Sequence, residues 1–157
     1  MDPKHLFDDP RLTAVGLLYE AHEGLIARLE ETWKSNGLSG LDLNALMRLS
    51  RSPGRRLRMT DLATQTGLST SGVTRLVDRL ERNGFVRREP DPADRRSSYA
   101  VLTAAGATRV ARVLPAYLDG IDRWFTSLLT PAQLDDLTAS LRVIRDATNA
   151  AATQISD

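Results

Sequence analysis

Residues 69–82 combine hydroxyl and arginine side chains at a spacing that suits contact with a polyanion. Apolar side chains in this stretch recur at three- and four-residue steps, which predicts a helix with one buried face. Hydroxyls and backbone N–H groups contact phosphates, and arginine commonly hydrogen-bonds the guanine edge in the major groove. We therefore predict DNA contacts on the opposite face from Ser69, Thr70, Ser71, Thr74, Arg75, Asp78 and Arg79. An ordinary solvated surface helix would show the same alternation.

A second basic group lies in the segment DPADRRSS, between two short stretches with β-strand character. FVRREP and SYAVLT flank this segment and predict a hairpin. Its tip carries Asp94, Arg95 and Arg96, and a narrow minor groove attracts arginine through its negative potential. Asp94 would orient an arginine by a charge-assisted hydrogen bond, and Arg95 would lie near a phosphate.

The charge distribution supports this interpretation of the middle of the chain. The whole sequence of 157 residues has a formal net charge of only +1, but residues 48–96 contain twelve arginines and six acidic residues. A local basic patch indicates a polyanionic partner even when the overall charge is small. An arginine-rich surface with no partner is the competing interpretation.

The elements that position these residues follow from capping and breaking signals. Thr60 is predicted to cap a short helix that ends at Gly67, and Ser69 to cap the next, which ends at Asn83-Gly84. This spacing is typical of a helix-turn-helix. Because the hairpin follows directly, we predict a winged helix. The segment RRLRM at 55–59 is a further predicted strand.

Long amphipathic helices flank this basic unit. Residues 11–35 form one predicted helix, and 40–50 form a second that starts with a capping box of Ser39 and Asp42. Thr103 caps a third that Pro115 is expected to kink or split, and Thr130-Pro131 starts the last. Their broad apolar faces predict an isologous homodimer, with a monomeric helical bundle as the alternative.

Several function classes are disfavoured. The chain has no cysteine and two histidines, so we expect neither a thiol switch nor a metal site. Motifs for phosphate loops, nucleophile elbows and zinc proteases are missing, which argues against an enzyme. No apolar run could cross a bilayer and the N-terminus lacks a signal-peptide core, so we expect a cytoplasmic protein without a membrane partner and without a cofactor. A winged helix that serves only protein interaction is a remaining alternative.

The stretches VTRLVDRLERNGFVRR and DPADRRSSYAVLTAAG resemble the winged-helix core of the MarR family of bacterial regulators. The resemblance covers nearly the whole chain. It implies a mainly α fold with a small β wing, in which long N- and C-terminal dimerisation helices flank the winged helix-turn-helix. The corresponding segments are residues 1–50, 51–103 and 104–157. By the same match, Arg96 is the minor-groove arginine, Asp94 supports it, and Thr74 and Arg75 lie on the recognition face.

The resemblance also implies a repressor that binds a pseudo-palindromic operator in double-stranded DNA as a homodimer and releases it when a small aromatic or phenolic ligand binds. The branch of the family that senses oxidants through cysteine is excluded here. We expect the ligand between the first two helices, the fifth helix and the DNA-binding lobe. The candidate effector-binding residues are Tyr19, His22, Arg28, Trp33, Asn44, Met47 and Arg48. Each could equally be an ordinary core or surface residue.

Overall fold

The computed structural model describes residues 8–94 and 96–153, which form a mainly helical chain with one small sheet. The helices are α1 (Pro10–Lys34), α2 (Gly40–Arg51), α3 (Met59–Thr66), α4 (Thr70–Arg82), α5 (Ala104–Trp124) and α6 (Pro131–Thr148). The strands are β1 (Arg56–Arg58), β2 (Val86–Pro90) and β3 (Ser98–Leu102). Short 3-10 turns lie at Pro53–Arg55, Thr126–Leu128 and Ala150–Thr153. The predicted fold class is confirmed.

Most helix starts follow the predicted caps. Ser39 and Asp42 form the capping box of α2, and Thr130 forms another with Gln133 at the start of α6. The hydroxyl of Thr103 accepts the backbone N–H of Gly106 at 3.0 Å. These bonds satisfy N–H groups that a helix start leaves without partners.

Two local predictions need correction. Thr60 does not cap α3, because the N-cap of that helix is Arg58, two residues earlier, without a side-chain cap. The split expected at Pro115 is wrong because helix α5 continues through this residue, whereas the kink stays a prediction. The apolar residues before and after the proline pack on the same core, which offsets the hydrogen bond that proline cannot donate.

The sheet is antiparallel with the order β1-β3-β2. Strand β3 pairs Ala100 with Leu57 on one side and with Arg88 on the other. Strands β2 and β3 form the predicted hairpin, and β1 attaches it to the segment that leads into α3. The wing is therefore hydrogen-bonded to the start of the helix-turn-helix.

One hydrophobic core runs through all three predicted segments. Its fully buried members include Leu46 of α2, Leu62 of α3, Val77 and Leu80 of α4, and Val113 of α5. Gly106 shows how closely the elements pack, because a Cβ there would lie 2.1 Å from the carbonyl oxygen of Phe85. This core fixes α4 and the hairpin relative to α2 and α5.

The terminal helices are much less covered. Helix α6 contains no buried residue, and α1 buries only Leu29 and Trp33. Large apolar side chains are exposed along α1, the end of α5, the 3-10 turn that follows it, and α6: Leu12, Val15, Leu17, Leu18, Tyr19, Ile26, Leu118, Trp124, Leu128, Leu141, Val143 and Ile144.

Candidate nucleic-acid interface

Helix α4 has the two predicted faces. Val73, Leu76, Val77 and Leu80 are buried, whereas the residues predicted to contact DNA near its start are exposed: Ser69, Thr70, Ser71, Thr74 and Arg75. Because the apolar face is fully used in the core, only the hydroxyl and arginine face is open to a partner.

The start of α4 is built around Ser69 and Gly72. The Ser69 hydroxyl accepts the backbone N–H of Gly72 at 3.1 Å, and a Cβ on Gly72 would lie 3.2 Å from that hydroxyl. The absence of a side chain at Gly72 therefore leaves space for the Ser69 hydroxyl that caps the helix. The hydroxyl of Thr74 donates to the carbonyl of Thr70 at 2.8 Å.

Asp78 and Arg79, which the sequence also assigns to the DNA face, are both engaged with neighbouring elements. Asp78 accepts from Arg88 of β2 at 2.7 Å. Arg79 donates through Nε and a terminal nitrogen to Asp42 of α2, at 3.0 and 2.6 Å. Both side chains are partly buried, so they differ from the open residues earlier in the helix.

At the wing tip, the carboxylate of Asp94 accepts the backbone N–H of Arg96 at 2.9 Å. This hydrogen bond stabilises the turn and does not involve the guanidinium of Arg96. Aspartate side chains commonly accept a backbone N–H from the residue two positions later in turns. Asp94 and Arg96 are exposed. Arg95 lies outside the described residues.

The base of the wing contains a cluster that the sequence analysis did not predict. Asp91 is 4% exposed, and its carboxylate lies 3.3 Å from Nε of Arg58. The same nitrogen donates to the hydroxyl of Tyr99 at 3.2 Å, and Arg56 stacks over the Tyr99 ring at 4.6 Å. Asp91 precedes Pro92, a turn signal that could have drawn attention to it.

The backbone N–H of Ala93, which donates to Asp91 at 2.9 Å, is the main reason that the pKa of Asp91 lies below its ordinary value. Burial of the carboxylate raises the pKa, and the positive charge of Arg58 lowers it further. Asp91 therefore remains ionised and holds the base of the hairpin to β1.

A groove of about 470 Å³ separates α3 and α4 from the wing. Thr70, Thr74 and Asp78 line it from the helix side, and Arg88 and Arg96 line it from the hairpin side. The two groups predicted separately to contact DNA therefore share one concave surface.

The seven candidate effector-binding residues do not form one site. Tyr19 and His22 are exposed on α1, and Arg28 stacks over Trp124 at 4.5 Å. Trp33 is 5% exposed and packs edge-on against Tyr117, which makes it a core residue.

The other three candidates share a cavity of about 420 Å³ that Asn44, Met47 and Arg48 line together. Its other lining residues are Arg51, Ser52, Gln65, Arg145, Ala152 and Thr153. The walls of this cavity come from α2, α3 and the C-terminal segment and not from α1 or α5. The position of the effector between the first two helices, the fifth helix and the DNA-binding lobe stays a prediction.

Arg48 is the central polar group of this cavity. It donates to the Asn44 side chain and to the carbonyl of Ala152, both at 2.7 Å. Burial lowers the pKa of Arg48, and the nearby charge of Arg51 lowers it further. Three arginines, Arg48, Arg51 and Arg145, line this space, which favours an anion.

Comparison with known proteins identifies the chain's family. The sequence model of the MarR family matches residues 36–97. AbsC, a MarR family transcriptional regulator from Streptomyces coelicolor, is 35% identical, with 88% of this chain and 94% of AbsC covered and a TM-score of 0.82. Sco3205, a MarR family regulator from the same organism that was crystallised in complex with DNA, is 33% identical, with 88% of each chain covered and a TM-score of 0.81. The chain belongs to the MarR family.

The repressor YetL of Bacillus subtilis is also similar to this MarR family chain, with 32% identity over 93 residues, which is 59% of this chain and 56% of YetL. The matched region spans about half the length of the curated relatives. These relatives are regulators of transcription, which confirms the predicted functional class and the prediction that the chain is not an enzyme.

Within 8–94 and 96–153, no group of three histidine, cysteine, aspartate or glutamate side chains could hold a metal ion. None of the helices in these ranges is long and apolar enough to cross a membrane.

Proposed function

We propose that the chain is a cytoplasmic, ligand-responsive repressor that binds a pseudo-palindromic operator as a homodimer and needs no resident cofactor. In this proposal residues 51–103 contact DNA, and segments 1–50 and 104–157 hold the two copies together. The observation that carries the proposal is the shared groove, where the open face of α4 and the wing tip meet.

The chemistry of the groove supports contact with duplex DNA. The hydroxyls at the start of α4 suit phosphate oxygens, and the exposed Arg75 can reach base edges in the major groove. Arg96 at the exposed wing tip suits the minor groove, where the negative potential is strongest in narrow A·T-rich stretches. Helix and wing would then hold the duplex from two adjacent grooves.

The exposed apolar faces of α1, α5 and α6 support the homodimer. A single copy leaves Leu17, Leu118 and Val143 more than half exposed, at 61%, 56% and 71%. A monomeric soluble protein rarely exposes apolar surface over several neighbouring helices. A second copy related by a two-fold axis would cover the same helices on both chains.

Binding of the purified protein to duplex DNA over a salt series tests the DNA contact, and Arg75→Ala tests its specificity. We expect Arg75→Ala to lower the preference for the best-bound duplex over a scrambled one by a factor equivalent to about 1–3 kcal/mol. Arg142→Ala, a substitution on α6, is the matched control. Failure of the wild-type protein to bind any duplex would support the interaction-module alternative.

We also propose that the cavity around Arg48 takes the effector, a small aromatic or phenolic molecule with an acidic group. Its arginines suit an anion, and Met47 and Ala152 supply apolar contact. Benzoate and its neutral analogue benzamide are suitable probes. Benzoate is expected to weaken DNA binding and benzamide is not, and Arg48→Gln should abolish the effect while the control Arg55→Gln keeps it. An unchanged benzoate response in Arg48→Gln would place the effector elsewhere.

A further inference from the structure

An ion pair between Arg79 and Asp42 joins the recognition helix to α2. Nε and a terminal nitrogen of Arg79 both donate to the same carboxylate oxygen, at 3.0 and 2.6 Å. The second oxygen of Asp42 accepts the backbone N–H of Ser39 at 2.9 Å. One carboxylate thus joins the start of α2 to the last turn of α4.

Separation from Arg79 would be energetically unfavourable for the Asp42 carboxylate. Its side chain is only 7% exposed, whereas that of Arg79 is 42% exposed. A buried carboxylate is unfavourable unless a cation and hydrogen bonds compensate it. If Arg79 turned towards DNA, Asp42 would keep its charge in the protein interior without that cation, so the pair resists separation.

The position of Arg79 on α4 agrees with this role. Arg79 lies about one helical turn after Arg75 and beside the buried face, where it meets α2. Arg75 is exposed and has no ion pair among those found within 8–94 and 96–153. The two arginines therefore have different surroundings although the sequence presents them as equivalent.

We infer that Arg79 is a positioning residue, held by Asp42, that fixes the recognition helix on α2 and does not read bases. This inference rests on the proposed DNA-binding function. Helix α2 would then have two roles. Asp42 holds the recognition helix, and Asn44 and Arg48 of the same helix line the cavity. A displacement of α2 would therefore move α4 as well, because the Asp42–Arg79 ion pair connects the two helices.

Asp42→Asn tests the inference because the two possible roles of Arg79 predict opposite results. If Arg79 positions α4, the variant should bind the best duplex from a genomic selection roughly tenfold more weakly, as expected for coupled neighbours, with little change in binding to a scrambled duplex. If Arg79 contacts DNA, removing its competing carboxylate should leave specific binding unchanged or strengthen it, which would overturn the inference. Asp135→Asn, an exposed position on α6, controls for the change in net charge.

Arg79→Gln and the double variant complete a mutant cycle. Both should match Asp42→Asn in specific affinity, and the slope of log affinity against log salt should equal that of the wild type. A slope reduced by about 0.9 in Arg79→Gln would indicate a lost phosphate contact and contradict the inference. Circular dichroism and thermal unfolding verify that each variant is folded.

If Asp42→Asn fails to fold because the capping box is disturbed, Arg79→Lys decides the question. Lysine keeps the positive charge but cannot make the same pair of hydrogen bonds. We expect it to lose nearly as much specific affinity as Arg79→Gln. Wild-type affinity in Arg79→Lys would show that only the charge matters and would overturn the positioning role. Absence of binding by the wild type would instead reject the proposed function itself.

Discussion

Arg88 of β2 lies 2.7 Å from the carboxylate of Asp78 on α4. The same guanidinium contacts Glu81 at 2.9 Å and the carbonyl of Thr74 at 3.3 Å. These contacts of Arg88 connect the wing to the recognition helix. Because Asp78 faces the groove that is proposed to receive DNA, Arg88 also neutralises a charge that would repel phosphates.

Arg88→Met should weaken DNA binding by severalfold, because the Asp78 carboxylate would lose its positive partner and repel the DNA phosphates. Since both side chains are partly exposed, the free energy of unfolding should change by only about 0–1 kcal/mol. Adding Asp78→Asn should recover most of the affinity. Titration of a fluorescent duplex measures the effect, with Arg87→Met on the same strand as control. If the second substitution does not recover binding, repulsion by Asp78 is not the cause.

Arg96→Ala should weaken binding to all duplexes and reduce the salt slope by about 0.9, the contribution of one neutralised phosphate. Asp94→Asn is the informative companion, because its amide oxygen can still accept the backbone N–H of Arg96. That variant should bind DNA at least as tightly as the wild type. Affinity measured at several salt concentrations distinguishes these outcomes, and an unchanged slope in Arg96→Ala would contradict a role for the wing tip in DNA binding.

Ile144→Glu should disrupt the homodimer by placing a charge in the stripe that Leu137 and Leu141 continue along α6. The control is Arg142→Glu, an exposed position on a different side of the same helix from Val143 and from this stripe. Sedimentation at micromolar concentration should show a monomer for the first variant and a dimer for the second. A monomeric wild type would reject the two-fold arrangement, and a dimeric Ile144→Glu would move the interface away from this stripe.

The ionisation of Asp91 should make the free energy of unfolding depend on pH in the acidic range. Its pKa in the folded chain is lowered from 3.8, so its stabilising contribution is present above that value and is lost as the pH falls through the lower folded pKa. Asp91→Asn should therefore be less stable than the wild type near neutral pH, and the two should converge in acid. Urea unfolding between neutral pH and strong acid measures this. Parallel stability curves would show that the carboxylate is not stabilised in the folded chain.

Much of the fold could be predicted from local signals in the sequence. The capping box at Ser39 and Asp42 depends on neighbouring residues, as does the cap of α4 at Ser69, and both were found. Thr60 was misassigned because strand β1 leads directly into α3, so that the N-cap lies two residues earlier, at Arg58. The split expected at Pro115 does not occur because apolar residues on both sides of the proline pack on the same core.

The site was less predictable because its decisive contacts join distant residues. Helical periodicity separates the buried face of α4 from the polar face, but it does not reveal which element lies beside each polar residue. Arg79 meets Asp42 across 37 positions, and Arg48 meets Ala152 across 104. Such pairs depend on tertiary packing, so the sequence could nominate the side chains but not assign them to different tasks.

Selection of bound fragments from the source genome by the purified protein tests the central claim most directly, when combined with the stoichiometry of the complex. The account predicts recovery of a pseudo-palindrome whose half-sites lie about one helical turn apart, bound by one dimer per duplex. Recovery of fragments without a shared motif, or a single protein chain on each selected duplex, would contradict it.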